Sequence, residues 1–175
     1  MRPLQQNDYK NWLHEFNSRF PSRHRHDPGR IDMSECTEEW FLDLVDQHQK
    51  KAVSDIAHVF GVFHKSDGTH LGMVDFSTLA RMHFQWARIG YTIHNQHWGN
   101  GYGKEAVQEA LKIAYDDLDF HRIEAHIAVD NDVSFHLAES VGMKYECTRK
   151  GFILEDDGWT DHLVYYMNSH SRPTI

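Results

Sequence analysis

The chain has 175 residues, 40% apolar and 25% charged, with a formal net charge of −8. That length sets one domain with a sizeable core as the prior, and the acidic balance argues against a general affinity for nucleic acid or anionic membrane while suiting a cationic or amine-bearing partner. Two distant cysteines, Cys36 and Cys147, make no disulfide framework, no apolar run nears the ~18 residues of a membrane span, and "MRPLQQNDYK" lacks a leader's apolar stretch, so the cytoplasm is the expected compartment.

No repeat, low-complexity tract or Pro/Gly/Ser linker divides the sequence, so a single domain over 1–170 with a flexible tail at 171–175 is expected. Asp8 stands where it would cap a helix whose apolar face is Trp12, Leu13 and Phe16. Residues 17–33, with Pro21 and Pro28 and no periodicity, read as a long loop, and such loops in compact domains are often functional or disordered. Thr37 is the expected N-cap, with Glu38 and Glu39 in the first turn, of a helix burying Trp40, Phe41, Leu44 and Val45.

From residue 58 the period changes. The stretches 58–65, 70–79 and 85–94 read as consecutive strands on short connections. Beyond a glycine-rich loop, Val107, Ala110, Leu111, Ala114 and Leu118 share a helical face, and "RIEAHIAV" alternates Ile123, Ala125, Ile127 and Val129 as a half-buried strand would. "VSFHLAESVG" is a short helix ending at Gly142, and the strands "KYECTRKGFIL" and "WTDHLVYYM" flank the turn signal "EDDG". The order implies an α/β (α+β) protein with helices on one mixed sheet.

"HWGNGYGKEA" places Gly99, Gly101 and Gly103 within five residues between a strand and a helix. Such a loop can bind phosphate, because its amides converge on the anion and the helix N-terminus adds a favourable dipole. A Walker A loop is excluded twice: its first glycine would be Trp98, and Lys104 is followed by Glu105. The dinucleotide fingerprint fails where Lys104 stands in place of its third glycine. A turn without a ligand remains the alternative.

"IGYTIHNQHWGNGYGKEAV", with "RIEAHIAVDNDVSFHLAESVGMKYE" and "DGWTDHLVYYM", resembles the GNAT acetyltransferase superfamily, and within it the ribosomal-protein N-terminal (serine/alanine) acetyltransferases. The resemblance covers about residues 58–168 strongly and the first helices loosely. It implies a mixed, mostly antiparallel central sheet flanked by helices. The superfamily loop R/Q-x-x-G-x-G/A falls on Trp98, Gly99, Asn100, Gly101, Tyr102 and Gly103, with Trp98 departing from Arg or Gln. By resemblance these amides hold the pyrophosphate of acetyl-CoA (coenzyme A), Lys104 opens the helix, and the backbone of Thr92, Ile93 and His94 meets the pantetheine arm. Pantetheine carries two amides, which edge backbone groups can pair.

Acetylating an amine from a thioester needs a neutral amine, a polarised carbonyl and a proton for the departing thiolate, with proximity supplying much of the rate. Asn131 and Ser134 lie three apart at a helix start and can share a face. The resemblance makes Asn131 a cofactor ligand and Ser134 the group that protonates or hydrogen-bonds the thiolate; the alternative is that both satisfy first-turn amides. No general base is assigned: Ile153 stands where some relatives place a glutamate, and Glu155, Asp75, His126 or a water relay are the candidates. The histidines of "RHRH" (23–26) fit no recognised metal spacing, so they read as surface or lid residues and no metal is expected. Trp86, Arg88 and Trp159 read as packing or pairing residues and Asp161 as a structural hydrogen-bonding residue. By resemblance, loop 17–33 is the acceptor-site lid.

The activity expected is acetyl-CoA-dependent N-acetylation of a primary amine, with a protein or peptide N-terminal α-amino group favoured. A small amine (polyamine, amino acid or aminoglycoside) and a non-catalytic coenzyme A-binding sensor are the alternatives. Neither a nucleic acid nor a membrane is expected as partner, and the chain is expected to be a monomer or homodimer.

Overall fold

The computed structural model describes residues 1–155 and 158–169. Asp156 and Asp157 of the expected turn, and the tail 171–175, lie outside the described residues. The elements are α1 (Tyr9–Asn17), α2 (Glu38–Val53), β1 (Ala57–Phe63), β2 (His70–Ala80), β3 (Trp86–Ile93), α3 (Tyr102–Asp116), β4 (Arg122–Ala128), α4 (Asp132–Ser140), β5 (Lys144–Glu155) and β6 (Gly158–Asn168). The strands form one sheet in the order β1-β2-β3-β4-β6-β5, the mixed and mostly antiparallel sheet that was expected. Among the described residues no helix is long and apolar enough to cross a membrane.

The chain forms two compact units. The first holds Met1–Asp75 and Tyr91–Ala106; the second holds Phe76–Gly90 and the described residues from Val107 onward. In the first, Leu4, Trp12, Met33, Phe41 and Val45 make a buried cluster, with Leu13, Phe16 and Leu44 packed against it. Thr37 caps α2 as expected, its hydroxyl accepting from the Trp40 amide at 3.2 Å, while Lys50 and Lys51 complement the dipole at the far end. Replacing Thr37 with Ala should lower stability by ~1 kcal/mol in thermal unfolding, with cofactor affinity unchanged.

Two expectations here are corrected. Asp8 holds the N-cap position of α1, but its side chain makes no cap bond: its carboxylate accepts from the two terminal Arg2 guanidinium nitrogens at 2.7 Å and from the Gln5 amide at 2.8 Å, closing the 3₁₀ turn before the helix. A charged partner draws the carboxylate away from the helix amides. Trp40 is exposed rather than buried, lying against Trp12 with ring centroids 5.9 Å apart, because Phe41 and Val45 already fill the core-facing stripe of α2.

In the second unit β3 runs parallel to β4, with paired positions from Trp86↔Arg122 to Arg88↔Glu124. β4 is antiparallel to β6, and β5 to β6. Val107, Ala110, Leu111 and Ala114 are buried as expected, whereas Leu118 lies beyond the end of α3 and is half-buried. Gly142 ends α4 with φ +94°, the left-handed conformation expected of it. Asp161 accepts from the Gly151 amide (2.8 Å) and from Lys150 (2.7 Å), pinning the irregular stretch of β5, and so is the structural residue it was read to be. Trp159 is exposed, against the expectation that it packs.

β4 is not the half-buried strand that its alternation implied. Ile123, Ala125 and Ile127 are buried, but so is Glu124, and Val129 lies exposed past the strand end. Both faces of the strand are covered, the second by an ionic cluster rather than by apolar groups.

Candidate active site

β3 delivers the chain to His94, a 3₁₀ turn spans Asn95–His97, and Trp98–Gly101 then leads into α3. Gly99 and Gly101 have φ of +84° and +81°, angles that side chains other than glycine rarely adopt. A Cβ built on either meets nothing within 4 Å, so conformation, not crowding, requires glycine there. The Gly101 carbonyl accepts the first turn's bond from the Glu105 amide at 3.1 Å. The amides of Tyr102, Gly103 and Lys104 precede that bond and have no acceptor from the helix itself. Open space over two left-handed glycines, orphan amides, a positive dipole end and Lys104 form a donor set that fits a pyrophosphate.

Trp98 turns its side chain inward. Its indole Nε1 donates to the Ile93 carbonyl at 2.7 Å, and its ring stacks on His24 (5.4 Å between centroids, 23° between planes). Asn100 donates through Nδ2 to the His97 carbonyl at 3.0 Å, closing the turn. Of the backbone groups expected to meet the pantetheine arm, the His94 amide donates to Leu71, the His94 carbonyl accepts from His97, and the Ile93 carbonyl accepts from Trp98. The ring of Tyr102 sits edge-on to His64.

Beneath this turn lies a histidine pair that the sequence did not announce. His94, 1% exposed, meets His70 ring to ring at 3.1 Å (Nε2 to Nδ1), and Phe16 and Phe63 pack on the two rings. Burial pushes the pKa of His94 to about 3 and that of His70 to about 4, so both are neutral near pH 7.

The turn is bonded along its length to α1 and the 18–33 segment. Asn95, fully buried, accepts from the Phe20 amide (2.8 Å) and donates to the Phe20 carbonyl (2.9 Å) and to Asp27 (3.0 Å). Gln96 donates to Glu15, and His97 meets the same carboxylate at 2.7 Å. Asp27 also pairs with buried Arg19 at 3.2 Å. Burial pushes the Asp27 pKa up, but the bonds from Asn95, Gly29 and Arg23 and the charge of Arg19 outweigh it and hold the carboxyl below its usual range. The long loop is therefore built around a buried carboxylate, a role that a lone Asp among prolines and glycines did not signal.

In the second unit, Asn131 caps α4: its Oδ1 accepts from the Ser134 amide at 3.3 Å. The expected pair thus lies together, with Asn131 at the cap and Ser134 in the first turn. Glu124 was missed. Its carboxylate accepts from Arg122 (2.8 Å) and from His126 (2.8 Å), with Arg149 at 3.4 Å. Burial raises its pKa, but the bonds from His126 and Arg122 and the nearby guanidinium charges win, so it is ionised. An ionised carboxylate only accepts, so His126 Nε2 is the donor in that bond. The signal was available in "RIEAH", whose spacing of two puts Arg122, Glu124 and His126 on one strand face. Of the other base candidates, Glu155 lies 3.6 Å from His162 and Asp75 is half-buried, while Ile153, which stands where some relatives place a glutamate, pairs with Thr160.

The family model "Acetyltransferase (GNAT) domain" matches residues 1–144. Among curated relatives, a Bacillus subtilis protein named as a probable N-acetyltransferase, YjcK, is 31% identical over 69% of this chain and 66% of its own length. The [ribosomal protein uS5]-alanine N-acetyltransferase of Escherichia coli is 30% identical over 70% of this chain and 62% of its own. The matches thus span slightly under two thirds of these relatives. A more distant relative, the spermidine N(1)-acetyltransferase of Vibrio cholerae, is 26% identical over 60% of each chain. Among solved structures, Mycobacterium smegmatis RimJ in complex with CoA-disulfide superposes with a TM-score of 0.76 at 20% identity, covering 96% of this chain and 80% of that one, a likeness of fold.

Proposed function

Because the chain belongs to the GNAT acetyltransferase family, we propose that it is an acetyl-CoA-dependent N-acetyltransferase, working as one domain over 1–170, whose acceptor is a protein or peptide N-terminal α-amino group. The observation that carries the reading is the turn with left-handed Gly99 and Gly101 opening α3 with orphan amides. Bound acetyl-CoA supplies an activated acetyl thioester. Gly99, Asn100, Gly101, Tyr102, Gly103 and Lys104 hold its pyrophosphate through backbone amides and the helix end. Since the Ile93 carbonyl and both His94 backbone groups are engaged locally, we place the pantetheine contacts on Thr92 and the Ile93 amide, with Trp98 bracing the strand end. Asn131 keeps Nδ2 for the cofactor while Oδ1 caps α4, and the hydroxyl of Ser134 holds a proton for the departing sulfur.

The net charge of −8 and the spermidine-acetylating relative favour a second acceptor class, small cationic amines. A thiol-release assay with acetyl-CoA over a panel of Ser- and Ala-starting peptides, spermidine, free amino acids and aminoglycosides separates the readings. The highest kcat/KM is expected on a peptide. A higher value on spermidine moves the assignment to polyamines, and tight binding of coenzyme A with no release on any amine makes the chain a sensor.

A further inference from the structure

We propose that Arg23 is a cofactor-binding residue, its guanidinium supplying positive charge to the coenzyme A pyrophosphate at the glycine turn; this rests on the reading above. The chain carries −8, and among residues 98–105 the one cation, Lys104, is followed at once by Glu105. A second cation near the turn would strengthen its hold on a pyrophosphate. The segment "RHRH" brings it. Arg23 lies with its guanidinium carbon 5.7 Å from the centroid of the Trp98 ring and 5.1 Å from that of Phe20, and His24 stacks on Trp98 beside it. Trp98 is the residue before Gly99, so this cation lies against the side chain that leads into the open turn.

The placement is built, not incidental. The Arg23 amide donates to Asp27 Oδ2 at 3.0 Å, and the same carboxylate is held by Asn95 from the turn itself. Other arginines of the segment are committed elsewhere: Arg19 is buried on Asp27, and Arg30 Nε donates to the Arg19 carbonyl at 2.9 Å. Arg23 is exposed, and among the described residues its guanidinium faces two rings rather than a carboxylate. A guanidinium that faces rings and not a carboxylate keeps its N–H groups for phosphate oxygens. The segment read as an acceptor lid thereby serves the cofactor.

Titration calorimetry with coenzyme A and with dephospho-coenzyme A, without any acceptor amine, tests this. Arg23→Ala should weaken both about tenfold at low salt, the scale of one charge-assisted hydrogen-bonding group. Arg23→Glu should weaken both further, and the gap to the parent should narrow in high salt. Equal affinity of R23A and the parent would overturn the proposal while leaving the proposed function standing. A loss with coenzyme A but none with dephospho-coenzyme A would overturn it too, because the contact would then be to the 3′-phosphate. A parent that binds neither compound would instead remove the proposed function itself.

Discussion

Gly101→Val is expected to abolish the rise in melting temperature that acetyl-CoA gives the parent. A ligand that binds only the native state at about 100 times its Kd adds ~2.7 kcal/mol of stability, so the parent's shift should be easily read. Two effects remove it in the variant. Valine at φ +81° is strained by ~1–3 kcal/mol, and relieving that strain swings the Gly101–Tyr102 peptide away from the ligand. The new side chain also projects into the open space over the turn, where nothing now lies within 4 Å. That openness makes the result diagnostic: without cofactor the variant should lose only the strain energy and still unfold cooperatively. A variant that binds like the parent sinks the phosphate-loop reading, and NAD and ATP are the controls, since a larger shift with either would favour a different nucleotide.

The glycine turn was legible because backbone conformation restricts sequence so tightly: few residues but glycine tolerate φ near +80°, and two of them opening an apolar-striped helix leave few architectures. Helices and strands were legible for a similar reason, since apolar periodicity is local. What escaped is what depends on partners far along the chain. Asp8 looked like a cap because its local setting is that of a cap; the Arg2 guanidinium six residues upstream decided otherwise. Trp40 was read with Phe41, Leu44 and Val45 as one buried stripe, but it stands at that stripe's exposed edge on α2. The His70–His94 pair, the Asp27–Asn95 hub and the Glu124 cluster each join residues that are unremarkable alone, and only Glu124 had a spacing that hinted at it. Polar networks in a core are specified by three-dimensional satisfaction of each donor and acceptor, which no one-dimensional period encodes.

Ser134→Ala is expected to lower kcat by about 10²-fold, the low end of acid–base help, with little change in acetyl-CoA affinity. A hydroxyl that serves a departing sulfur acts chiefly in the transition state, so its loss appears in kcat and in kcat/KM alike. The competing account, that the serine stabilises the start of α4, is weakened by the geometry. The side chain that caps the helix belongs to Asn131, and Ser134 contributes its backbone amide to that bond, which alanine retains. The two variants should therefore split. Asn131→Ala should cost ~1 kcal/mol of stability and raise the apparent Kd for acetyl-CoA first, since it removes the cap and a cofactor donor together. S134A keeps the cap bond, so it should lose less stability than N131A while turning over slowly. Steady-state kinetics at saturating cofactor, with thermal unfolding on the same preparations, reads both quantities. Turnover of S134A within twofold of the parent would strike Ser134 from the chemistry and move attention to the imidazole of His126, oriented by its bond to Glu124.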